Sequence, residues 1–307
     1  MRYYWAMDWP APLKLTAKQK KALQEEDIRS FDAPIRAMDV ASLREHFCTK
    51  RSKRINVARL VKNLLWQVYE QIALKQRPTI DGNLRSLWYS DVKPVLSRAG
   101  ALRDTNAGYS LLSDLLVHLV MRNLLHYRSF DFTDEHYDDR RLGKRHQNIL
   151  IAAEKRGYLR WLKRMQQSHE VTIIALGGQP SLLSTEYFAQ ELKEANVHLT
   201  TRLPLFTVVD YDPAGESIAQ SFIRQLKNFG VHVSKRIDLV KPTNMTKEQI
   251  ELSRYQLSRT KRERTQVMHW IELTGGVEGK AYGIEADAMS TEQLTEVFEK
   301  NLKKLRL

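Results

Sequence analysis

A single cysteine, Cys48, stands in 307 residues. It excludes an internal disulfide framework and any multi-cysteine metal site, and its expected role is that of a small buried side chain. No uninterrupted apolar stretch approaches the length that spans a membrane. The start, Met1-Arg2-Tyr3-Tyr4-Trp5, lacks the layout of a signal peptide, so a cytoplasmic protein without a membrane partner is expected. The nine histidines are scattered without metal-ligand spacing. P-loop, Gly-x-Ser-x-Gly and dinucleotide fingerprints are all missing, which leaves those chemistries without support. No internal repeat or low-complexity segment is present.

Acids are in deficit. Lys and Arg number 49 against 36 Asp and Glu, giving a net charge of +13 and a pI near 9.7. A polyanionic partner follows, and nucleic acid is the commonest one. The basic residues cluster. Lys50, Arg51, Lys53, Arg54, Arg59 and Lys62 lie within one stretch that holds no acid. Nine basic residues fall between Arg140 and Arg164, with Glu154 as the single acid among them. Arg254, Arg259, Lys261, Arg262 and Arg264 make a third group. Arg51, Arg54 and Arg145 are candidate nucleic-acid contacts.

With 42% hydrophobic residues the chain can bury a core, as one large domain or two modest ones. A short helical pattern covers about Thr16–Glu26. From Ile55 to Lys75, Val57, Leu60, Val61, Leu64, Leu65, Val68 and Ile72 make one apolar stripe of an amphipathic helix. Pro78 and Gly82 break it. Two more helices are expected over Leu84–Ser97 and Asn106–His126. Three helices with short turns suit a helix-turn-helix or winged-helix unit, and a generic three-helix bundle equally well. The polar stretch Asp131–Arg145 reads as a linker. Beyond it the period changes. Strands are expected at Asn148–Ala153, Val171–Leu176, Leu205–Val209 and Val231–Val240, with helices between them. That alternation predicts an α/β unit with a mostly parallel sheet.

The densest chemical signal is Leu205-Phe206-Thr207-Val208-Val209-Asp210-Tyr211-Asp212-Pro213-Ala214-Gly215. Two carboxylates end a strand and enter a strand-to-helix turn, where open α/β sheets bind ligands. Hard oxygen ligands one residue apart suit Mg²⁺. The bland alternative is that Asp-x-Asp-Pro merely caps the next helix. Glu154 ends the first strand of the same parallel sheet, so three carboxylates fall on one edge. Their mutual repulsion calls for a cation.

Glu154 in Ile-Ala-Ala-Glu-Lys, followed by Asp210-x-Asp212 with Pro213 and Gly215, resembles the Toprim domain of topoisomerases and primases. A primase is disfavoured, because no zinc-ribbon cysteine pattern exists. In the first half, Leu84-Arg85-Ser86-Leu87-Trp88-Tyr89-Ser90-Asp91-Val92 resembles the nucleophile motif of the type IIB DNA topoisomerase A subunit and of the related meiotic double-strand-break transesterase. Tyr89 falls on the reactive position and Arg85 on the motif arginine. Leu119-Val120-Met121-Arg122-Asn123-Leu124-Leu125 is similar to a second family segment with a fixed Arg. Gly283-Ile284-Glu285-Ala286 is similar to one late in Toprim. The resemblance spans roughly residues 55–295. Two departures stand out: Trp88 replaces the usual tyrosine before the reactive one, and Gly177-Gly178-Gln179-Pro180 lacks a Lys that relatives often place there.

The resemblance implies an N-terminal extension over residues 1–54, a winged-helix (CAP-like) DNA-binding domain over 55–135 and a Toprim domain over 146–307. The layout is closest to the small Mini-A homologues. It further implies Mg²⁺-dependent cleavage of double-stranded DNA, with Tyr89 forming a 5′-phosphotyrosine link and Arg85 assisting. Glu154, Asp210 and Asp212 would bind the metal, and Arg122 would support the DNA face. One tyrosine cuts one strand, so a homodimer is expected. In the family the tyrosine of one protomer meets the metal of the other. An ATPase B subunit could be encoded separately, and association with the nucleoid is expected. Two alternatives stay open: a Toprim nuclease that hydrolyses DNA with water, and a non-catalytic DNA-binding regulator.

Overall fold

The computed structural model describes residues 15–49, 53–80, 82–102, 104–195, 203–257 and 260–305. Lys50, Arg51 and Arg259, all named above, lie outside the described residues. The chain forms two compact units that divide between Thr133 and Asp134.

The first unit is built of helices: α1 (Ala17–Glu25), α2 (Val40–Phe47), α3 (Val57–Ala73), α4 (Leu84–Leu87), α5 (Lys93–Arg98), α6 (Thr105–Met121) and α7 (Tyr127–Phe130). Its β pairing among the described residues is limited to isolated bridges, Cys48 with Ile55 and Gly82 with Phe132. The α3 stripe is the core. Leu60, Val61, Leu64, Leu65 and Val68 are buried, as the periodicity predicts. Two polar residues of α3 are buried as well. Asn63 accepts from the Arg29 amide at 2.8 Å and donates to the Asp27 carbonyl at 3.0 Å. Gln67 accepts from the Ile35 amide at 2.7 Å. These bonds lash residues 27–35 to α3, each contributing about 1 kcal/mol net.

Three expectations are corrected in this unit. The helix predicted to run to His126 stops at Met121. Asn123 takes a left-handed conformation (φ 55°), and the amides of Asn123 and Leu124 return to the carbonyls of Val120 and Leu119. That is a Schellman stop, and Asn tolerates its left-handed position better than most residues. The helix over Leu84–Ser97 is interrupted by a π turn at Trp88–Val92. Cys48 is half-buried rather than buried, and its Sγ lies 3.3 Å from the Lys53 carbonyl oxygen.

The second unit comprises β1 (Arg140–Arg141), β2 (His146–Ala153), α8 (Leu159–His169), β3 (Val171–Ala175), α9 (Leu182–Glu194), β4 (Leu203–Val208), α10 (Pro213–Asn228), β5 (Val233–Asp238), α11 (Lys247–Ser253), β6 (Arg254–Gln256), α12 (Lys261–Thr274), β7 (Tyr282–Ile284) and α13 (Thr291–Leu305). The main sheet has the order β1-β3-β2-β4-β5. Strands β2 to β5 are parallel, and β1 is antiparallel to β3. Leu150, Ile151, Ala152 and Ala153 are all buried, as befits a central strand covered on both faces. On one face Ile151, Ile173 and Phe206 pack with Trp161 and Leu162 of α8 and with Leu294 and Phe298 of α13. Phe206 meets Phe298 edge-on at 4.6 Å. Elsewhere α9 and α10 pack through stacked Phe188 and Phe222.

The stretch read as a linker is largely structure. Residues from Asp134 on belong to the second unit, and Arg140 sits on an edge strand with its side chain buried. Its guanidinium is held by Asp134 and Glu191 and by Ser184 Oγ. A polar, turn-rich composition hides such a strand, because its buried charge is compensated from other elements.

Candidate functional site

At the carboxyl edge of β2 and β4 the three carboxylates named from sequence come together in part. The Asp210 amide donates to Glu154 Oε2 at 3.3 Å, and the Glu154 amide donates to the Val208 carbonyl at 2.9 Å. Asp210 Oδ1 accepts from the Ala286 amide at 2.7 Å and lies 3.2 Å from Lys155 Nζ. Asp212 is the N-cap of α10. Its Oδ1 accepts from the Gly215 amide at 2.7 Å, and its Oδ2 accepts from the Tyr255 hydroxyl at 2.5 Å. The bland reading of Asp212 as a helix cap therefore holds, alongside whatever else it does. Among the described residues, no three His, Cys, Asp or Glu side chains are placed closely enough to hold a metal ion. Asp212 faces its cap and Tyr255, and the Lys155 ammonium lies against Asp210.

The turn is clamped from the far side. Tyr211 exchanges both backbone hydrogen bonds with Ile284, at 2.8 and 3.1 Å. The Gly283-Ile284-Glu285-Ala286 segment thus meets the Asp210-x-Asp212 turn through main chain as well as through Ala286. Two glycines permit the fit. A Cβ on Gly215 would lie 2.0 Å from the Asp210 carbonyl oxygen, and a Cβ on Gly283 would lie 2.5 Å from the Tyr255 ring. Gly215 needs the bare backbone for this close approach, whereas a Cβ at Gly283 would displace the Tyr255 ring.

Electrostatics follow the geometry. Burial raises the Glu154 pKa, and the neighbouring Asp210 and Asp212 charges push it the same way against the opposing Asp210 amide. Burial pushes the Lys155 ammonium down, but its bonds to Asp287 and Asp210 outweigh that and leave it raised. Asp287 is held below the usual carboxylate range by the Tyr158 hydroxyl and by Lys155. Burial and bonds to carboxylates keep the phenols of Tyr158 and Tyr255 protonated, so both act as donors. Lys155, Tyr158, Tyr255 and Asp287 were not singled out from sequence. Lys155 has a signal in its place beside Glu154. The others are brought in by tertiary structure. Beside the turn a cleft of about 680 Å³ is lined by Asp210, Asp212, Glu216, Arg236, Asp238 and Lys241, among others.

In the first unit, Tyr89 lies on the π turn and is 56% exposed. The Lys93 ammonium sits 4.9 Å from the centre of its ring. Trp88 and Asp91 are buried. The Asp91 carboxylate takes a forked pair of bonds from Arg77, at 2.7 and 3.2 Å, and one from Ser90 Oγ at 2.6 Å. The turn thus presents Tyr89 outward from a fixed base, and π turns recur at functional sites. Arg85 is exposed on α4, whose first amides are capped by Asn83. Arg54 and Arg145 are exposed. Arg122 is ion-paired with Glu25 and Glu26. Several other members of the basic clusters serve the fold: Arg59 pairs with Asp27, Lys62 with Glu26 and Arg156 with Asp139.

No protein-family model matches this sequence, and no curated protein does.

Proposed function

We propose that this protein cleaves double-stranded DNA by transesterification, as a relative of the type IIB topoisomerase A subunit. In this reading the first unit is the winged-helix (CAP-like) domain, the second is the Toprim domain, and the protein works as a nucleoid-associated homodimer. The observation that carries it is the placing of Glu154, Asp210 and Asp212 along the carboxyl edge of a parallel sheet, where the Asp210 amide bonds to Glu154 and both Asp charges act on it. An outward-facing Tyr89 on a π turn in the same chain adds to it.

The donor set fits Mg²⁺. All three groups are hard oxygen ligands, and the Glu154 pKa is raised first by burial and then by the Asp210 and Asp212 charges, a repulsion that a divalent cation relieves. Glu154, Asp210 and Asp212 would hold it, and it would supply Lewis-acid stabilisation at the scissile phosphate. A free phenol is almost wholly protonated at neutral pH, so the nucleophile needs help. Lys93 over the Tyr89 ring and exposed Arg85 supply nearby positive charge. The Tyr89 oxygen bonds to phosphorus, and its proton passes to solvent. The 3′-oxygen leaves with its bonding electrons and takes up a proton. The products are a 5′-phosphotyrosine and a free 3′-hydroxyl. Two protomers supply the two tyrosines of a double-strand break, and a separate ATPase subunit is a possible partner.

The test is incubation with supercoiled plasmid and Mg²⁺, without ATP, with and without protease before the gel. Protein-linked cleaved DNA is expected, lost in Tyr89→Phe and in Asp210→Asn/Asp212→Asn. Covalent linkage that survives Tyr89→Phe refutes the nucleophile. A second reading, a hydrolytic Toprim nuclease, is favoured by the fact that all three carboxylates belong to the second unit alone. Cleavage without linked protein, unchanged in Tyr89→Phe, would establish it instead.

A further inference from the structure

Lys155 occupies an unusual position. Its ammonium lies 3.2 Å from Asp210 Oδ1 and 3.0 Å from Asp287 Oδ2, with the side chain about one-third exposed at 34%. Asp287 is itself anchored, because the buried Tyr158 donates to its other oxygen at 2.7 Å. Tyr158 is fixed in turn by the core of α8, α13 and the sheet. The cation is thus shared between a carboxylate of the candidate metal site and a carboxylate outside it. Glu154, Asp210 and Asp212 crowd negative charge on one edge, and among the described residues Lys155 is the cation in ion-pair contact with that trio.

We infer that Lys155 is the built-in counter-ion of the metal-free site and competes with Mg²⁺ for Asp210, with Asp287 as the perch to which its ammonium withdraws when the metal binds. This inference rests on the metal reading above. A side chain of four methylenes can keep its contact with Asp287 while it gives up Asp210, since the two contacts are independent. The arrangement sets a threshold: divalent cation must displace a tethered ammonium, so the free protein is not left with three unpaired carboxylates. Without the perch, the ammonium would stay on Asp210 and oppose the metal.

The experiment is calorimetric titration of the intact protein with Mg²⁺, and with Mn²⁺ as a second probe, together with melting curves in chelator. Lys155→Met is expected to bind Mg²⁺ about ten-fold more tightly, since one opposing charge at close range is lost. It is expected to melt lower than wild type in chelator and to recover in saturating Mg²⁺. Asp287→Asn is expected to weaken Mg²⁺ binding several-fold. In the Lys155→Met background the same change should do almost nothing, because Asp287 acts through Lys155. Equal or weaker binding by Lys155→Met overturns the inference, as does an Asp287→Asn effect that persists without Lys155. Absence of saturable binding by wild type overturns the metal reading instead. The chelator melts then decide the counter-ion role alone: a lower melt for Lys155→Met upholds it, and an unchanged one refutes it.

Discussion

Tyr255→Phe isolates one hydrogen bond. The Tyr255 hydroxyl donates to Asp212 Oδ2 at 2.5 Å, while its ring covers Gly283 with no room for a Cβ between them. Phenylalanine keeps the ring and removes the donor. A hydrogen bond to a charged group contributes about 1.5–3 kcal/mol, and partial exposure of this one places it near the low end. For a unit of this size about 1.5 kcal/mol lowers the melting temperature by roughly 3–6 °C. Under the proposed metal reading a second effect falls on the site. Asp212 would keep its Gly215 bond but lose the contact that fixes the rotation of its carboxylate. Removing a partner that orients a ligand typically lowers metal affinity about 10–100-fold. The assays are thermal melts in chelator and Mg²⁺ titration. An unchanged melt with unchanged affinity refutes the claim that Tyr255 holds Asp212. A tighter affinity would mean that Tyr255 competes for Asp212 rather than orienting it.

Gly215→Ala should cost about 2–4 kcal/mol by differential scanning calorimetry, because its Cβ would sit 2.0 Å from the rigid Asp210 carbonyl oxygen. Arg140→Met should cost about 3–5 kcal/mol in denaturant unfolding, since the buried Asp134 and the half-buried Glu191 would be left without their cation. Glu154→Gln tests the pH response of the chelated protein. The Glu154 pKa is raised in the fold, so ionising it there costs stability, and the penalty grows as pH rises from the unfolded value through the folded one. Glutamine removes that penalty. It should stabilise the protein at neutral pH and lose its advantage below the unfolded carboxylate range. A gain of equal size at both pH values would refute the assignment.

Strands β2, β3 and β4 were legible because each is an apolar run ended by Glu154, Gly177 or Asp210, and a parallel sheet buries both faces of such runs. The α3 stripe was legible for the matching reason, a clean helical period. The failures share a cause. The stop at Asn123, the edge strand holding Arg140 and the π turn at Tyr89 are set by main-chain hydrogen bonds and by ion pairs with distant residues. Local periodicity carries no trace of either. The same holds at the site. Glu154, Asp210 and Asp212 could be read from strand ends, whereas Tyr255 and Asp287 arrive from 43 and 132 residues away from Asp212 and Lys155. Charge clustering was the least discriminating signal. Arg59, Lys62, Arg140 and Arg156 belong to a basic surface by sequence and to the ion pairing of the fold by structure.

Capping and metal binding are not rival explanations of the Asp210-x-Asp212 turn. A carboxylate oxygen offers two lone pairs, so Asp212 can cap Gly215, accept from Tyr255 and still present acceptor capacity. What a cap alone does not explain is the rest of the cluster. Starting α10 needs one side-chain acceptor, and Asp212 provides it. Asp210 adds nothing to that cap, yet it is held by Ala286 and neutralised by Lys155. Glu154 is half-buried beside two further negative charges, an arrangement that raises its pKa and opposes folding at neutral pH. Helix initiation and sheet packing would both be served by an uncharged residue at either position. Repulsion of this kind persists where the surroundings over-determine it, and it gathers at sites that bind or react. The Lys155 contact limits the cost in the free protein. A cation that all three groups share would remove it, which is why the stability of the Glu154→Gln variant without metal, set against the loss of Mg²⁺ affinity that the proposed function expects of it, bears most directly on what the turn is for.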